Sequence, residues 1–175
     1  LHQQDGGTAM IGPPDRTIVR LIEHTSARPV TGTTGLYHFA VLVPTRLDLA
    51  HALFHLAETR TPLQGLSDHG VSEAIYLPDP DGNGIEIYCD RAQDEWPRKE
   101  EGSLEMVTLP LDTDDLFSFL SENNSPWGGM PAGTILGHVH LRVSDIPAAE
   151  HFYTELLGFE LVQRYGSSAS FLSVN

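Results

Sequence analysis

His38 and Glu86 are the residues of this chain whose types and setting point most directly to chemistry. Each sits in a short apolar run that reads as a β-strand. Strand residues alternate faces. His38 therefore shares a face with Ala40 and Leu42, opposite Phe39, Val41 and Val43, and Glu86 shares one with Tyr88, opposite Ile85 and Ile87. On a third strand Tyr76 falls with Ala74, opposite Ile75 and Leu77. With helices on one side of the sheet, the polar set lines the other, concave side, where a His, a Glu and a Tyr can meet. An imidazole and a carboxylate on neighbouring strands suit a divalent-metal site with open positions, as two of the three ligands of a facial triad. The competing assignment is a hydrogen-bonded core histidine and a solvent-facing glutamate. The glycine-containing turn before Glu86, and a second copy of the His38 motif further on, favour the metal.

The elements that must position these residues form an internal repeat. Leu36-Tyr37-His38-Phe39-Ala40-Val41-Leu42-Val43 returns as Leu136-Gly137-His138-Val139-His140-Leu141-Arg142-Val143, at an offset of 100 residues. Each copy leads into a helix. The first starts near Thr45, with Asp48 completing an approximate capping box and Leu49, Leu53, Leu56 and Ala57 as its apolar stripe. The second follows Ser144-Asp145, with Pro147 in its first turn and Gly158 past its end, and buries Ala149, Phe152, Tyr153, Leu156 and Leu157. Three strands follow the first helix, around Leu63–Ser67, Ser72–Leu77 and Gly84–Tyr88. The turn Asp79-Pro80-Asp81-Gly82-Asn83-Gly84 joins the last two as a hairpin. Thr8–Gly12 and Thr17–Thr25 read as strands around Pro13-Pro14-Asp15, and Ser170–Val174 as another. Between the two repeats a strand is expected near Leu104–Leu109 and a helix near Asp114–Ser121.

The chain of 175 residues carries ten Lys plus Arg against 24 Asp plus Glu, a net charge of −14. Such a surface repels phosphate backbones and argues against nucleic acid as a partner. The acidic cluster Asp112, Asp114 and Asp115 reads as solvated surface. No apolar run is long enough for a membrane span, so no membrane association is expected. A single cysteine, Cys89, cannot form an internal disulfide and fits a reducing cytoplasm. Nine histidines raise the prospect of metal or acid–base chemistry. His51 and His55, four apart on the first helix, lack the intervening Glu of a zinc-protease helix and read as solvent-facing. His151 and His24 read as structural or exposed.

The run Ile75-Tyr76-Leu77-Pro78-Asp79-Pro80-Asp81-Gly82-Asn83-Gly84-Ile85-Glu86-Ile87-Tyr88 resembles the signature of the vicinal oxygen chelate superfamily, which unites glyoxalases, bleomycin-resistance proteins and extradiol dioxygenases. Within it the chain is similar to bacterial catechol-2,3-dioxygenase-like proteins. The resemblance implies an α+β fold of repeated βαβββ modules, forming half-barrel mixed sheets with helices on the outer face. It makes His38 and Glu86 metal ligands. His69, in Asp68-His69-Gly70, takes an acid–base role, and Tyr76 hydrogen-bonds a ring oxygen. Residues 1–30 would close a first module, 35–93 form a complete second module with the metal motif, 94–135 a linker, and 136–175 open a third. This implies a chain truncated at both ends, with the triad's remaining histidine in a strand before Leu1. His138 occupies the equivalent position in the third module. It either serves a second site or completes the first.

The implied activity is extradiol cleavage of a catechol-like aromatic diol with Fe(II) and O2, giving a ring-opened semialdehyde. Mn, Ni or Zn are alternative metals, and a homo-oligomer is expected. Two rivals remain. A glyoxalase I-type isomerase using Ni or Zn would need a fourth, carboxylate ligand. A bleomycin-resistance-like protein would bind a small molecule in the same fold without catalysis.

Overall fold

The computed structural model describes residues 3–5, 7–102, 104–121 and 125–174. Contacts divide the chain into two compact units, Leu1–Val30 with Leu36–His140, and Thr31–Gly35 with Leu141–Asn175.

In the first unit, β1 (Gln3–Asp5), β2 (Thr8–Ile11) and β3 (Val19–Ile22) form a small antiparallel sheet. The two expected strands are present but shorter, and β1 is an addition. The main sheet is built from β4 (Gly35–Leu42), β5 (Gly65–Asp68), β6 (Ser72–Pro78), β7 (Gly84–Asp90), β8 (Leu109–Pro110) and β9 (Ile135–Arg142), in the order β8-β5-β6-β7-β4-β9. It is mixed, because β5, β6 and β7 pair antiparallel while β7 and β4 run parallel. It is also open, with β8 and β9 at its edges. Helix α1 (Arg46–Glu58) connects β4 to β5, so this part reads strand–helix–strand–strand–strand. The α+β fold expected from the sequence is the one observed. The strand expected around Leu104–Leu109 is reduced to β8, which pairs with the edge of β5, and to one isolated bridge between Arg98 and Leu104.

Local chemistry explains the elements. Thr45 Oγ1 accepts from the Asp48 amide at 3.2 Å and Asp48 Oδ2 accepts from the Thr45 amide at 3.0 Å, a complete capping box at the start of α1. Leu49 and Leu53 are buried as their spacing predicts, and Leu56 is half-buried. Ala57 is exposed, and Ala50 and Ala52 are buried instead. Small side chains let the helix axis approach the sheet, so the buried face is broader there than a stripe of leucines. Helix α2 (Thr113–Ser118) continues as a 3-10 turn over Phe119–Ser121. The acidic cluster is not merely solvated. Asp112 caps α2 by accepting from the Asp115 amide at 3.0 Å, and Asp115 pairs with Arg46 at 2.7 Å.

The core lies between α1, α2 and one face of the sheet. Val43, Leu49, Leu53, Ile75, Leu77, Ile87, Cys89, Leu111 and Leu116 form it. Burial pushes the Cys89 thiol up to about 11, so it packs as a small apolar group. Leu49 has no exposed surface. Leu49→Ala is expected to cost about 2–5 kcal/mol in chemical denaturation, from lost burial plus a cavity the sheet cannot close. A loss below about 1 kcal/mol would show that the core is not packed around it.

In the second unit, helix α3 (Ile146–His151) runs on into a wider π turn over Phe152–Leu156, and β10 (Glu160–Tyr165) pairs antiparallel with β11 (Ala169–Ser173). Asp145 caps α3 through the Ala148 amide at 2.7 Å, and Gly158 stands past the end at φ 75°. The expected buried face of this helix is not buried. Phe152, Leu156 and Leu157 are 47%, 66% and 52% exposed, while Ala149 and Tyr153 are half-buried. An amphipathic stripe shows which face favours burial, and the two-stranded hairpin of this unit is too small a layer to cover it. No helix among the described residues is long and apolar enough to cross a membrane.

Candidate metal centre

The face of the main sheet away from α1 carries the candidate chemistry. Ala40 and Ala74, both fully buried, leave room there for larger neighbours. Across the β6–β7 pair Tyr76 stands directly opposite Glu86, and in the β4–β7 pair Glu86 stands opposite Ala40. The two strands of the repeat lie side by side, which brings His138 on β9 to His38 on β4.

Three potential donors converge. His38 Nε2 and His138 Nε2 lie 3.0 and 3.2 Å from the same oxygen, Glu86 Oε2, and 3.3 Å from each other. Among the described residues this is the group of His, Cys, Asp and Glu side chains able to hold a metal ion. Protons alone do not satisfy it. If both imidazoles donate from Nε2 to Glu86, two N–H groups confront each other at 3.3 Å. A cation at the common point satisfies all three contacts. Cis donors held at about 2.1 Å around a six-coordinate ion lie about 3.0 Å apart, close to the separations found. Two imidazole nitrogens and one carboxylate oxygen are the donor set of a facial triad, so the residues fit a divalent transition metal.

The environment is graded. The side chains of His38 and Glu86 are 10% and 5% exposed, whereas that of His138 is 43% exposed, which leaves one open side. Burial pushes the Glu86 carboxyl up, but the hydrogen bonds and charges of His138 and His38 outweigh it and hold the group down at about 2. Burial and the Glu86 charge push the Tyr76 phenol up, so it keeps its proton. The Tyr88 phenol is pushed up by burial and by Asp90 and Glu86.

His69 and Tyr76 form a second pair on this face. His69 Nδ1 donates to the Val107 carbonyl at 3.0 Å, since a carbonyl only accepts. His69 Nε2 lies 2.9 Å from the Tyr76 hydroxyl, within hydrogen-bond reach. His69 and Tyr76 are linked through the β5–β6 turn. The His69 amide donates to the Ser72 carbonyl at 2.8 Å and Gly70 takes φ 76°. Gly70 is required twice over, because a Cβ there would also meet Pro97 Cγ at 2.8 Å.

Two further groups pack around the donors. Tyr88 packs its ring 5.2 Å from His138 and over Gly137, where a Cβ would fall 2.0 Å from its hydroxyl oxygen. His140 packs edge-on to the His38 and Tyr37 rings at 4.8 and 4.7 Å. The alternation of β9, legible in the sequence, puts His140 and Arg142 on the face of His138. Among the described residues His24, His51, His55 and His151 are not part of this group. His55 is not simply solvent-facing; it stacks on Trp127 at 4.9 Å, a contact made by a distant segment. His51 is half-buried on α1, His151 is exposed, and His24 contacts Ser26 at 3.1 Å.

A mixed sheet with helices over one face and a His/Glu group on the other defines a class, and comparison with known proteins agrees. Residues 135–174 match the model of the glyoxalase/bleomycin resistance protein/dioxygenase superfamily. It is similar to a catechol-2,3-dioxygenase of Bacillus subtilis (strain 168), 43% identical over 176 residues, 99% of this chain and 61% of that protein. It is also similar to biphenyl-2,3-diol 1,2-dioxygenase 3 of Rhodococcus globerulus, 38% identical over 86 residues, 47% of this chain and 39% of that one. The chain thus spans 61% and 39% of the lengths of these relatives. A triple mutant of 4-hydroxymandelate synthase from Streptomyces coelicolor aligns loosely, with a TM-score of 0.38 and 17% identity over 89% of this chain and 41% of that one.

Proposed function

We propose that this chain carries the centre of an extradiol-type ring-cleaving dioxygenase acting on a catechol-like diol with Fe(II) and O2. The observation that carries the reading is the meeting of His38, Glu86 and His138 with the His69–Tyr76 pair on the same sheet face. His38, Glu86 and His138 would hold the metal. When bound, Fe(II) supplies a redox-active Lewis acid with open positions for the diol and O2. Mn would suit the same donors. Ni or Zn would point instead to isomerase chemistry, but its fourth, carboxylate donor is absent from the group among the described residues. Similarity to two diol dioxygenases supports the substrate class.

The protein's own groups have separable tasks. Tyr76 keeps its proton and offers a hydroxyl that orients a ring oxygen. His69, anchored through Nδ1, holds Nε2 where a proton can be taken up and returned. The buried floor of Ala40, Ala74 and Tyr88 excludes water beneath the ring. Cleavage beside the diol incorporates both atoms of O2 into the ring-opened semialdehyde, so no external reductant is consumed.

Anaerobic loading with Fe(II), followed by oxygen uptake with catechol, tests the reading. One O2 consumed per ring-opened product is expected, and an iron-loaded chain that consumes none overturns it. His69→Phe is expected to lower kcat about 10²–10⁴-fold with iron content unchanged, the span of a lost acid–base group. An unchanged kcat would remove His69 from the reaction.

A further inference from the structure

We propose that Arg91 is a positioning residue for His69: its guanidinium ties Asp68 to the buried Glu73 and so fixes the Asp68-His69-Gly70 corner that aims His69 at Tyr76. Arg91 lies just past β7 on the far side of the sheet from the metal group. Its Nη2 donates to Asp68 Oδ2 at 2.7 Å and to Glu73 Oε1 at 3.1 Å. Glu73 is itself buried, with its side chain 3% exposed, and its Oε1 also accepts from Arg46 Nη2 at 2.8 Å. Two carboxylates from adjacent strands β5 and β6 are thus clamped by one planar cation.

The clamp reaches His69 through one residue. Asp68 uses its other oxygen, Oδ1, to accept from the Gly70 amide at 2.8 Å, closing the turn around His69. The backbone of Arg91 is fixed as well. Its amide donates to the Val71 carbonyl at 2.9 Å, and its carbonyl accepts from Trp96 Nε1 at 2.9 Å. The guanidinium holds this place although its Nε is buried without a partner among the described residues. The carboxylates, not full hydrogen bonding of the arginine, therefore determine its position. Among the described residues the side-chain hydrogen bonds and ion pairs of Arg91, Asp68 and Glu73 run to one another, to Arg46 and to this corner rather than to the metal donors, so Arg91 acts on the site through the corner.

The kinetic part of the test rests on the dioxygenase reading, and the spectroscopic part does not. In Fe(II)-loaded full chain, Arg91→Ala is expected to lower kcat about tenfold or more while KM for catechol changes less than about threefold. In a His69→Phe background the same substitution is expected to add less than about a twofold loss. Equal losses in both backgrounds would mean a merely structural role and overturn the proposal. Arg91→Lys, which keeps one charged donor, should recover part of the rate. Independently, ¹⁵N-histidine NMR of the chain should show a protected His69 Nδ1–H, bonded to Val107, that is lost or exchanges rapidly in Arg91→Ala. Retention of that signal overturns the proposal whatever the activity. Its loss in a chain that cleaves no catechol leaves the positioning role standing and removes the dioxygenase reading alone. If Arg91→Ala fails to fold, Asp68→Asn carries the same test. It keeps an oxygen for the Gly70 amide but loses the charge facing Arg91, and an unperturbed His69 signal there also overturns the proposal.

Discussion

Glu86→Gln is expected to weaken divalent-metal binding at least a hundredfold and to lower ring cleavage by more than about a thousandfold, on the order of 4 kcal/mol of barrier. Glu86 contributes the only negative charge of the donor group, and its side chain is 5% exposed, so water cannot replace it. An amide keeps the size but offers a dipole where the ion needs an anion. The substitution also disturbs the apo protein. In the native group both imidazoles address one carboxylate oxygen, and an amide can present its NH2 to one of them instead. Metal affinity measured by chelator competition, alongside kcat, separates the effects. His38→Ala should match it in metal loss, because the two side chains are the buried members of the group. Stoichiometric iron at native affinity in Glu86→Gln would overturn the assignment of this group as the metal site.

How far the sequence foretold this site depends on the range of the information. The face shared by His38, Tyr76 and Glu86 followed from strand alternation, a period of two that sequence displays directly. The hairpin turn set the β6–β7 register, since Asp79 accepts from the Asp81 and Asn83 amides at 2.9 and 2.8 Å and so closes the loop. The length and spacing of the repeated strands were equally legible: β4 and β9 have matching bounds 100 residues apart. That these two strands are neighbours was not legible. Their adjacency is a non-local pairing with no periodic trace, so the sequence does not decide between the two sites open to His138. The acidic residues show the same boundary. Alternation puts Glu73 on the face of Ile75 and Leu77, a charge pointing into a core, and such a charge must find partners. The partners, Arg46 and Arg91, lie 27 and 18 residues away in sequence. The stripe on α3 failed for the converse reason, because periodicity names a face but not what covers it.

Gly84→Ala is expected to damage stability and metal binding together, costing about 3 kcal/mol and weakening metal binding tenfold or more. Gly84 pairs with His38 in the parallel β4–β7 ladder. A Cβ at Gly84 would fall 2.3 Å from the Tyr37 carbonyl oxygen, 2.9 Å from His38 Cβ and 3.3 Å from His38 Cα. The first and last are backbone atoms, so no side-chain rotation relieves the clash and β4 must move away from β7. His38 sits at the point of displacement, and a shift of about 1 Å would break the approach of its Nε2 to Glu86 and degrade the shared metal geometry. Gly82→Ala, in the same turn, provides the control. Its φ of 86° is strained for alanine, yet nothing lies within 4 Å of the new Cβ, so a cost of about 1–2 kcal/mol with unchanged metal affinity is expected. Denaturation and metal titration of the two variants then separate backbone conformation from strand spacing. If Gly84→Ala binds metal as tightly as the native chain, the close approach of β4 to β7 is not what places His38. If only Gly84→Ala loses metal, the glycine before Glu86 sets the distance between the two strands that carry the buried donors.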